Sequence, residues 1–595
     1  MNNSAAEFYK NLKDTYQYKL SAVTKKIRLF AWYRLFIFLL IFVPLTFWEW
    51  NAWYTVVLSV AFTVLFIFTV KKNIQLEKNK KTFEVLIKLS ADELLALNHQ
   101  FSHFRSGDNF LNPEHFNSWD LDLFGEGSVF QFINRASTQS GRQKLAEWLQ
   151  KPVLQKDEIE RKQEAVRELA FKAEWRLNFL ASGHLFQESS ELSKEIKNWS
   201  ETELNINRPY LTRWLLVIIP TLTILAAFYA ILGGSNIWII LLIIIQVTLL
   251  YFSRKSVAKF YIYFGRKSEL LEKYMQLVLL VENENFQASY LQKLQKKVFK
   301  PEKASHIFRQ LKNQVNKFEY RQNIVVNILF NSLFMWDIRC TFNLWNWHRH
   351  NRKKLAHWLH VVAETDALIS LANIAYNHPE FIYPEIHEGG FTLQAKQLGH
   401  PLIPPAKRIN NDLSIDGWAK VLIITGANMA GKSTFLRTVG VNMILGCMGA
   451  PVCAQKLIYT PVNIFTNMRT TDSLLKDESY FFAELKRIKA LLDRLEKGER
   501  IFVILDEILK GTNSVDKLNG SKLLIKKLLK LKAVALIATH DLKLSELEEE
   551  FPQMVYNKCF EIRLEYDEMD FDYLLKEGVT KTMNATFLMK KMGII

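Results

Sequence analysis

The chain has 595 residues, 49% hydrophobic and 13% aromatic, and a net charge of +17 from 77 Lys and Arg against 60 acidic residues. That length allows two to four domains, the apolar content excludes a disordered chain, and the positive balance suits nucleic acid and an anionic membrane surface alike. The four cysteines lie far apart with no Cys/His cluster, which excludes a disulfide framework and a zinc site and suits a reducing, cytosolic setting.

Residues 1–28 are polar and mixed in charge, unlike a cleavable signal peptide. Leu29–Trp48 is apolar except for Arg34, which lies near one end and can snorkel to the headgroups, and Asn51–Val70 carries no charge. About 20 apolar residues span a bilayer as a helix, so 29–70 reads as a transmembrane hairpin with Trp48, Trp50, Trp53 and Tyr54 as its aromatic belt. Residues 71–118 read as a helical linker. Trp214–Ser253 is uncharged and interrupted by Gly233-Gly234-Ser235-Asn236, which makes 212–253 a second hairpin. Lys25, Lys26, Arg28, Lys71, Lys72, Arg213, Arg254 and Lys255 flank these segments, and the two turns hold no Lys or Arg. The positive-inside rule then leaves all but the turns in the cytosol and gives a multi-pass protein of the cytoplasmic membrane with four transmembrane helices.

A third apolar stretch, Ile324–Trp347, holds Asp337 and Arg339 mid-segment. Charges are costly in lipid, so it reads as a core helix, or at most an interfacial one. The rest of 254–390 is helical and rich in lysine. Its basic stretches, Arg266–Lys273 and Lys293–Lys303, are either phosphate tracks or solvated faces.

From Val421 the texture changes. Val421–Ile424, Ile501–Leu505 and Ala533–Ala538 are short β-branched runs alternating with helical stretches, the pattern of a parallel α/β sheet. Gly426-Ala-Asn-Met-Ala-Gly-Lys-Ser433 follows the first run and fits a P-loop. There the glycines let backbone amides wrap phosphate, Lys432 reaches the β- and γ-phosphates of ATP, and Ser433 binds Mg²⁺. Asp506 and Glu507 end the second run, suited to Mg²⁺ and to orienting the attacking water. His540, after the third run, can sense the γ-phosphate.

These residues resemble the MutS family. Ile424–Thr434, with Asn428, Met429, Ala430 and Thr434, resembles its characteristic P-loop, and Ala450–Gln455 and Leu505–Thr512 resemble its later motifs. Asp472–Glu484 resembles the segment that carries the family's signature serine, here Ser479. That resemblance implies a homodimer in which each Ser479 reaches the γ-phosphate bound by the partner. Ser128–Leu149 and Ile159–Val166 resemble the start of the helical core and lever, Ala363–Ala375 with Asp366 resembles their return, and His400-Pro401 resembles the entry to the ATPase. The implied fold is an ABC-type, MutS-like α/β P-loop NTPase at 391–595. It follows an all-α core and lever region at 119–211 and 254–390 that carries the hairpins. Two departures stand out. Arg408 occupies the place where the family often sets an aromatic against adenine, and a guanidinium can also stack on a base. Lys510 stands where arginine is common.

The expected function is a membrane-anchored, dimeric ATPase that uses ATP and Mg²⁺ and binds double-stranded DNA. The alternatives are an ATP-switched membrane scaffold without DNA and an ABC-type transporter. The separate N-terminal domain on which the family's mismatch readers carry a Phe-x-Glu wedge has no room before Trp119. Phe47, Phe124, Phe186 and Phe482 each begin a Phe-x-Glu, but none at a place suited to such a wedge. DNA binding indifferent to mismatches is therefore expected.

Overall fold

A computed structural model describes residues 3–47, 53–112, 114–186, 198, 202–206, 208–265, 267–299, 302–469, 480–565 and 568–581. Helices α1 (Asn3–Phe47) and α2 (Trp53–Leu97) run unbroken from the polar ends of the first hairpin through its apolar stretches. Residues 3–28 and the first part of 71–118 thus continue the hairpin helices. No Gly or Pro interrupts 3–43 or 53–97, so nothing stops either helix at the change in polarity. At 1.5 Å per residue, the polar portion of each is about 40 Å long.

That polar pair is fastened to a helical body. The body begins with α3 (Val129–Ile133), α4 (Gln139–Gln150), α5 (Lys156–Phe171) and α6 (Ala173–His184). The second hairpin follows as α7 (Pro209–Ile231) and α8 (Ile237–Phe264). Then come α9 (Ser268–Asn283), α10 (Ser289–Phe299), α11 (Ala304–Glu319), α12 (Ile324–Phe334) and α13 (Trp336–Asn377). Tyr9 of α1 is buried and donates to Asn377 Oδ1 at 2.9 Å. Glu93 of α2 is buried and accepts from Arg135 at 2.6 Å, Asn373 at 2.6 Å and Asn377 at 2.8 Å. Lys78, farther up α2, pairs with Glu272 of α9 at 2.8 Å.

Among the described residues, α1, α2, α7 and α8 are long and apolar enough to cross a membrane. Inside the second hairpin, Gln246 donates to Thr223 across the helices at 2.7 Å, a buried bond of the kind that holds apolar helices together.

The stretch Ile324–Trp347 is not one helix. It turns by 80° at Met335, whose φ is 50°, between α12 and α13. Beyond the turn, α13 is a core helix as expected, whereas α12 leaves an apolar face exposed. The basic stretch Arg266–Lys273 also differs from a phosphate track. Lys267 and Lys273 are buried and donate to backbone carbonyls, Lys267 to Ile262 and Tyr263 at the end of α8 and Lys273 to Ser137. Lys293, Lys296 and Lys303 are exposed, and Arg266 lies outside the described residues.

The C-terminal part builds two sheets among the described residues. A four-stranded sheet has the order β1-β5-β2-β3, from β1 (Glu385–Ile386), β2 (Thr392–Leu398), β3 (Asn411–Asp416) and β5 (Lys456–Tyr459). A six-stranded sheet has the order β10-β9-β4-β8-β7-β6. Its strands are β4 (Lys420–Gly426), β6 (Asn463–Asn467), β7 (Ile501–Asp506), β8 (Val534–Thr539), β9 (Val555–Glu565) and β10 (Glu568–Glu577). All its pairings are parallel except β9–β10. The β-branched interiors of β4, β7 and β8 are buried along their length, as central parallel strands covered on both faces must be. The helices α14 (Lys432–Cys447), α15 (Tyr480–Glu496), α16 (Ser514–Lys530) and α17 (Leu547–Glu550) complete this part.

Candidate nucleotide site

The carboxyl ends of β4, β7 and β8 meet around a cleft of about 670 Å³. Its walls bring together Asn428, Met429, Ala430, Gly431, Lys432, Ser433, Thr434, Asp506, Glu507 and His540. Ligands in open α/β sheets bind at such strand ends.

Gly426 and Gly431 bracket the turn between β4 and α14. A Cβ on Gly426 would stand 2.8 Å from the Phe560 carbonyl oxygen, and one on Gly431 would stand 3.1 Å from the Tyr573 ring at a φ of 103°. The turn therefore keeps bare backbone facing the cleft, with the N-terminus of α14 behind it. Lys432 is buried and donates to the carbonyls of Gly426 at 2.7 Å and Ala427 at 2.8 Å, with His540 Nε2 3.3 Å away. Burial lowers its ammonium to about 8, against the opposing pull of Asp506 and Glu507.

Ser433 Oγ donates to Asp506 Oδ2 at 2.5 Å, so a hydroxyl and a carboxylate already face one point, an all-oxygen set that suits a hard divalent cation. Glu507 has φ 56° and its amide donates to Ala538 O at 2.9 Å. That left-handed geometry costs roughly 1 kcal/mol outside glycine. It turns the carboxylate toward His540 Nε2 at 3.1 Å, and this hydrogen bond, aided by Lys510 and Lys517, holds Glu507 down to about 2. A carboxylate so held stays ionised at neutral pH and can accept a hydrogen bond from water.

Arg408 does not join the cleft walls. Its guanidinium lies over Phe381, 5.8 Å from the ring centroid, because the chain turns inward there while Ile409 and Asn411 face the cleft. Ser479 lies outside the described residues. Phe124 is buried among Phe110 and Phe130, and Phe482 sits exposed on α15.

Several residues of the site carry no signal in the linear sequence. Tyr573 reaches the cleft from a bulge in β10, where Asn411 donates to its carbonyl at 3.0 Å and accepts from Leu575 N at 2.7 Å. Glu484, buried on α15, accepts from the amides of Leu509 at 2.7 Å and Lys510 at 3.2 Å and so fixes the turn after Glu507. Beside the cleft, residues 120–122 are gripped by three arginines of the C-terminal part. Asp120, buried, accepts from Thr466 Oγ1 at 2.7 Å, Arg469 N at 2.8 Å and Arg487 at 3.1 Å. Asp122 accepts from both terminal nitrogens of Arg469 at 2.6 and 3.2 Å, while Arg437 of α14 donates to the Asp120 carbonyl at 2.9 Å. No spacing rule links residues so far apart in the chain.

Comparison with known proteins agrees with this geometry. Family models described as MutS domain III and MutS domain V match residues 113–372 and 422–590. "DNA mismatch repair protein MutS" of Thermotoga sp. (strain RQ2) is 33% identical over 239 residues, 39% of this chain and 29% of that protein. Its counterpart in Aquifex pyrophilus is 34% identical over 239 residues, 39% of this chain and 27% of that protein. "MutS protein homolog 4" of Mus musculus is 31% identical over 242 residues, 38% of this chain and 24% of that protein. The chain thus matches less than a third of the length of these relatives. With the helical region and the cleft-bearing region each matched by its own domain model, the chain belongs to the MutS family.

Proposed function

We propose that this protein is a membrane-anchored ATPase that works as a homodimer on double-stranded DNA held near the cytoplasmic membrane, with its cleft in the cytosol. The observation that carries the reading is the convergence of Lys432, Ser433–Asp506 and Glu507–His540 on one cleft of a size suited to a nucleotide. Gly426 and Gly431 let the turn pack against Phe560 and Tyr573, where a Cβ would collide, and leave its backbone to meet phosphate. Arg408 is turned to Phe381, and the ring that lines the cleft beside Gly431 is that of Tyr573. Ser433 and Asp506 would hold Mg²⁺, which when bound neutralises charge on the phosphate oxygens.

The remaining steps belong to the chain's own residues. Lys432 moves from the Gly426 and Ala427 carbonyls to the β- and γ-phosphates. Glu507 orients a water and accepts its proton as the bond to the γ-phosphorus forms and the bond to the ADP oxygen breaks. His540 holds Glu507 in place and contacts the γ-phosphate. Ser479 reaches the partner's γ-phosphate, so ATP closes the dimer.

DNA enters the proposal through two supports. The bacterial relatives are named for DNA mismatch repair, and Lys293, Lys296 and Lys303 are exposed on the helical body. The test is ATP turnover by the full chain in vesicles, with matched duplex, single-mismatch duplex or no DNA. Stimulation by both duplexes, differing by less than about tenfold or roughly 1.4 kcal/mol, is expected. Turnover that ignores DNA would favour the scaffold, and absence of turnover would overturn the ATPase.

A further inference from the structure

Helix α12 stands out because its sequence and its surroundings disagree unless a third phase is present. Ile324 and Val325 are each 74% exposed, Ile328 is 64% exposed and Leu329 is 54% exposed. Spaced i, i+1, i+4 and i+5, these four side chains form one continuous aliphatic face. Asn327 and Asn331 lie off this face, bonded to each other, and Asn331 is buried against the start of α13. A surface helix of a water-soluble body shows the reverse arrangement.

The neighbours of α12 say what covers that face. It packs on the hairpin α7–α8 and on the start of α13. Met335 and Ile338 are buried with Leu216 and Ile219 of α7, against Leu242, Leu249 and Leu250 of α8. Leu216, Leu249 and Leu250 lie close to the two ends of the uncharged run Trp214–Ser253, so α12 sits at the level where that hairpin leaves the body.

The polar side chains around α12 mostly bond within the protein, and Ser332, the one on the aliphatic side, donates to the Ile328 carbonyl at 2.7 Å. Asn323 caps its start, accepting from Val325 N at 3.1 Å and Val326 N at 3.2 Å. Asn331 Oδ1 accepts from Asp337 N at 2.9 Å and so caps α13. The Asp337 carboxylate pairs with Arg321 at 3.5 Å, and Arg339 donates to the Leu216 carbonyl at 2.5 Å. The two charges that look hostile to lipid in the linear sequence are therefore spent inside the protein. Asp337 Oδ1 and Arg339 Nε keep no partner among the described residues, but both charges are turned inward, away from the place acyl chains would take. On the body side lie the amphipathic rings of a membrane interface. Arg321 stacks 4.9 Å from the Tyr261 centroid, Trp336 Nε1 donates to the Lys317 carbonyl at 2.9 Å, and Tyr320 is exposed.

We propose that α12 is a fifth membrane element, lying within the body-side leaflet beside α7–α8 with Ile324, Val325, Ile328 and Leu329 against the acyl chains. Its 11 residues reach about 16 Å, half of a hydrocarbon core of about 30 Å, so it lies in one leaflet and does not cross. The inference rests on the membrane reading of the hairpins, and the experiment separates the two.

Single cysteines replace Ile328 on α12, Ile240 on α8 and Lys489 on α15 in the full chain whose four buried native cysteines have been substituted. Each variant is labelled with bimane. The protein is reconstituted in phosphatidylcholine–phosphatidylglycerol vesicles containing lipids spin-labelled at shallow or deep acyl positions. The expected result is strong quenching at Ile328 and Ile240 and none at Lys489, with Ile328 quenched at least about twofold more by the shallow label than by the deep one. Leu329→Cys repeats the measurement should Ile328→Cys perturb the fold. Quenching at Ile240 with none at Ile328 or Leu329 overturns this inference alone and leaves the face to another protein surface. The inference also fails if shielding of Ile328 appears only as protein concentration rises, which assigns the face to a second copy. Absence of quenching at Ile240 as well removes the membrane reading itself.

Discussion

The cleft and the helical body both bury charge, and they do so to different ends. In the cleft, Lys432 and Glu507 stand 3.3 and 3.1 Å from His540 Nε2, a chain of contacts that a nucleotide can rearrange. In the body, Asp366 is fully buried and takes four hydrogen bonds from Ser137 and Thr138, with nothing left to exchange. Burial pushes the Asp366 carboxyl up while these donors and Lys273 pull it down. Glu93 is held in the same closed manner between Arg135, Asn373 and Asn377. The lesson is that identical side chains serve as movable parts at the strand ends and as fixed cross-links among the helices.

Substitutions in the two regions should therefore have opposite signatures. Glu507→Gln keeps the shape of the cleft but removes the proton acceptor. Single-turnover ATP hydrolysis should fall by at least about 10²-fold while the melting profile stays put. Wild-type turnover would strip Glu507 of its role. Asp366→Ala should do the reverse. It leaves the Ser137 and Thr138 donors without their acceptor and Lys273 without its nearby negative charge, costing roughly 2 kcal/mol of stability, visible as a lowered unfolding midpoint with nucleotide affinity retained. An unchanged midpoint would show that the cross-link carries no load.

The mildest contrast is in pH. With the Lys432 ammonium lowered to about 8, its charge is complete below that pH and is lost above it. ATP affinity measured by equilibrium binding should then weaken as pH rises past 8, by up to about tenfold per unit. Lys432→Arg, which keeps its charge, should flatten that limb whatever its affinity. A flat profile in the unsubstituted protein would mean that the ammonium is not what binds phosphate.

The cleft was legible in the sequence where its parts are contiguous. Gly426–Thr434 occupies one turn, and Asp506, Glu507 and His540 follow apolar runs that could only be buried strands. Tyr573 was not legible, because it reaches the cleft through a bulge held by Asn411, a contact across 162 residues. Arg408 points away from the cleft for a similar reason: its direction depends on Phe381 rather than on its neighbours in the chain. In the helical region, apolar runs announced the hairpins. The break at Met335 stayed hidden because Asp337 and Arg339 look costly in lipid until Arg321 and the Leu216 carbonyl are known to receive them.

One dimension of α13 has a mechanical consequence. The helix spans 42 residues, about 63 Å, with Trp336 beside α12 at one end and Asn377 under the first hairpin at the other. Asp366, bolted to the loop that precedes α4, stands roughly 45 Å from Trp336 along the axis. A tilt of about 5° about that bolt would carry the far end through about 4 Å, taking the helix as a straight rod of that length. The arginines that clasp Asp120 and Asp122 sit on α14, on α15 and after β6, and the clasped aspartates lie just before α3, which leads into the Ser137–Thr138 loop. Angular play too small to disturb packing near the phosphates would therefore become a displacement of atomic size where the protein meets α12.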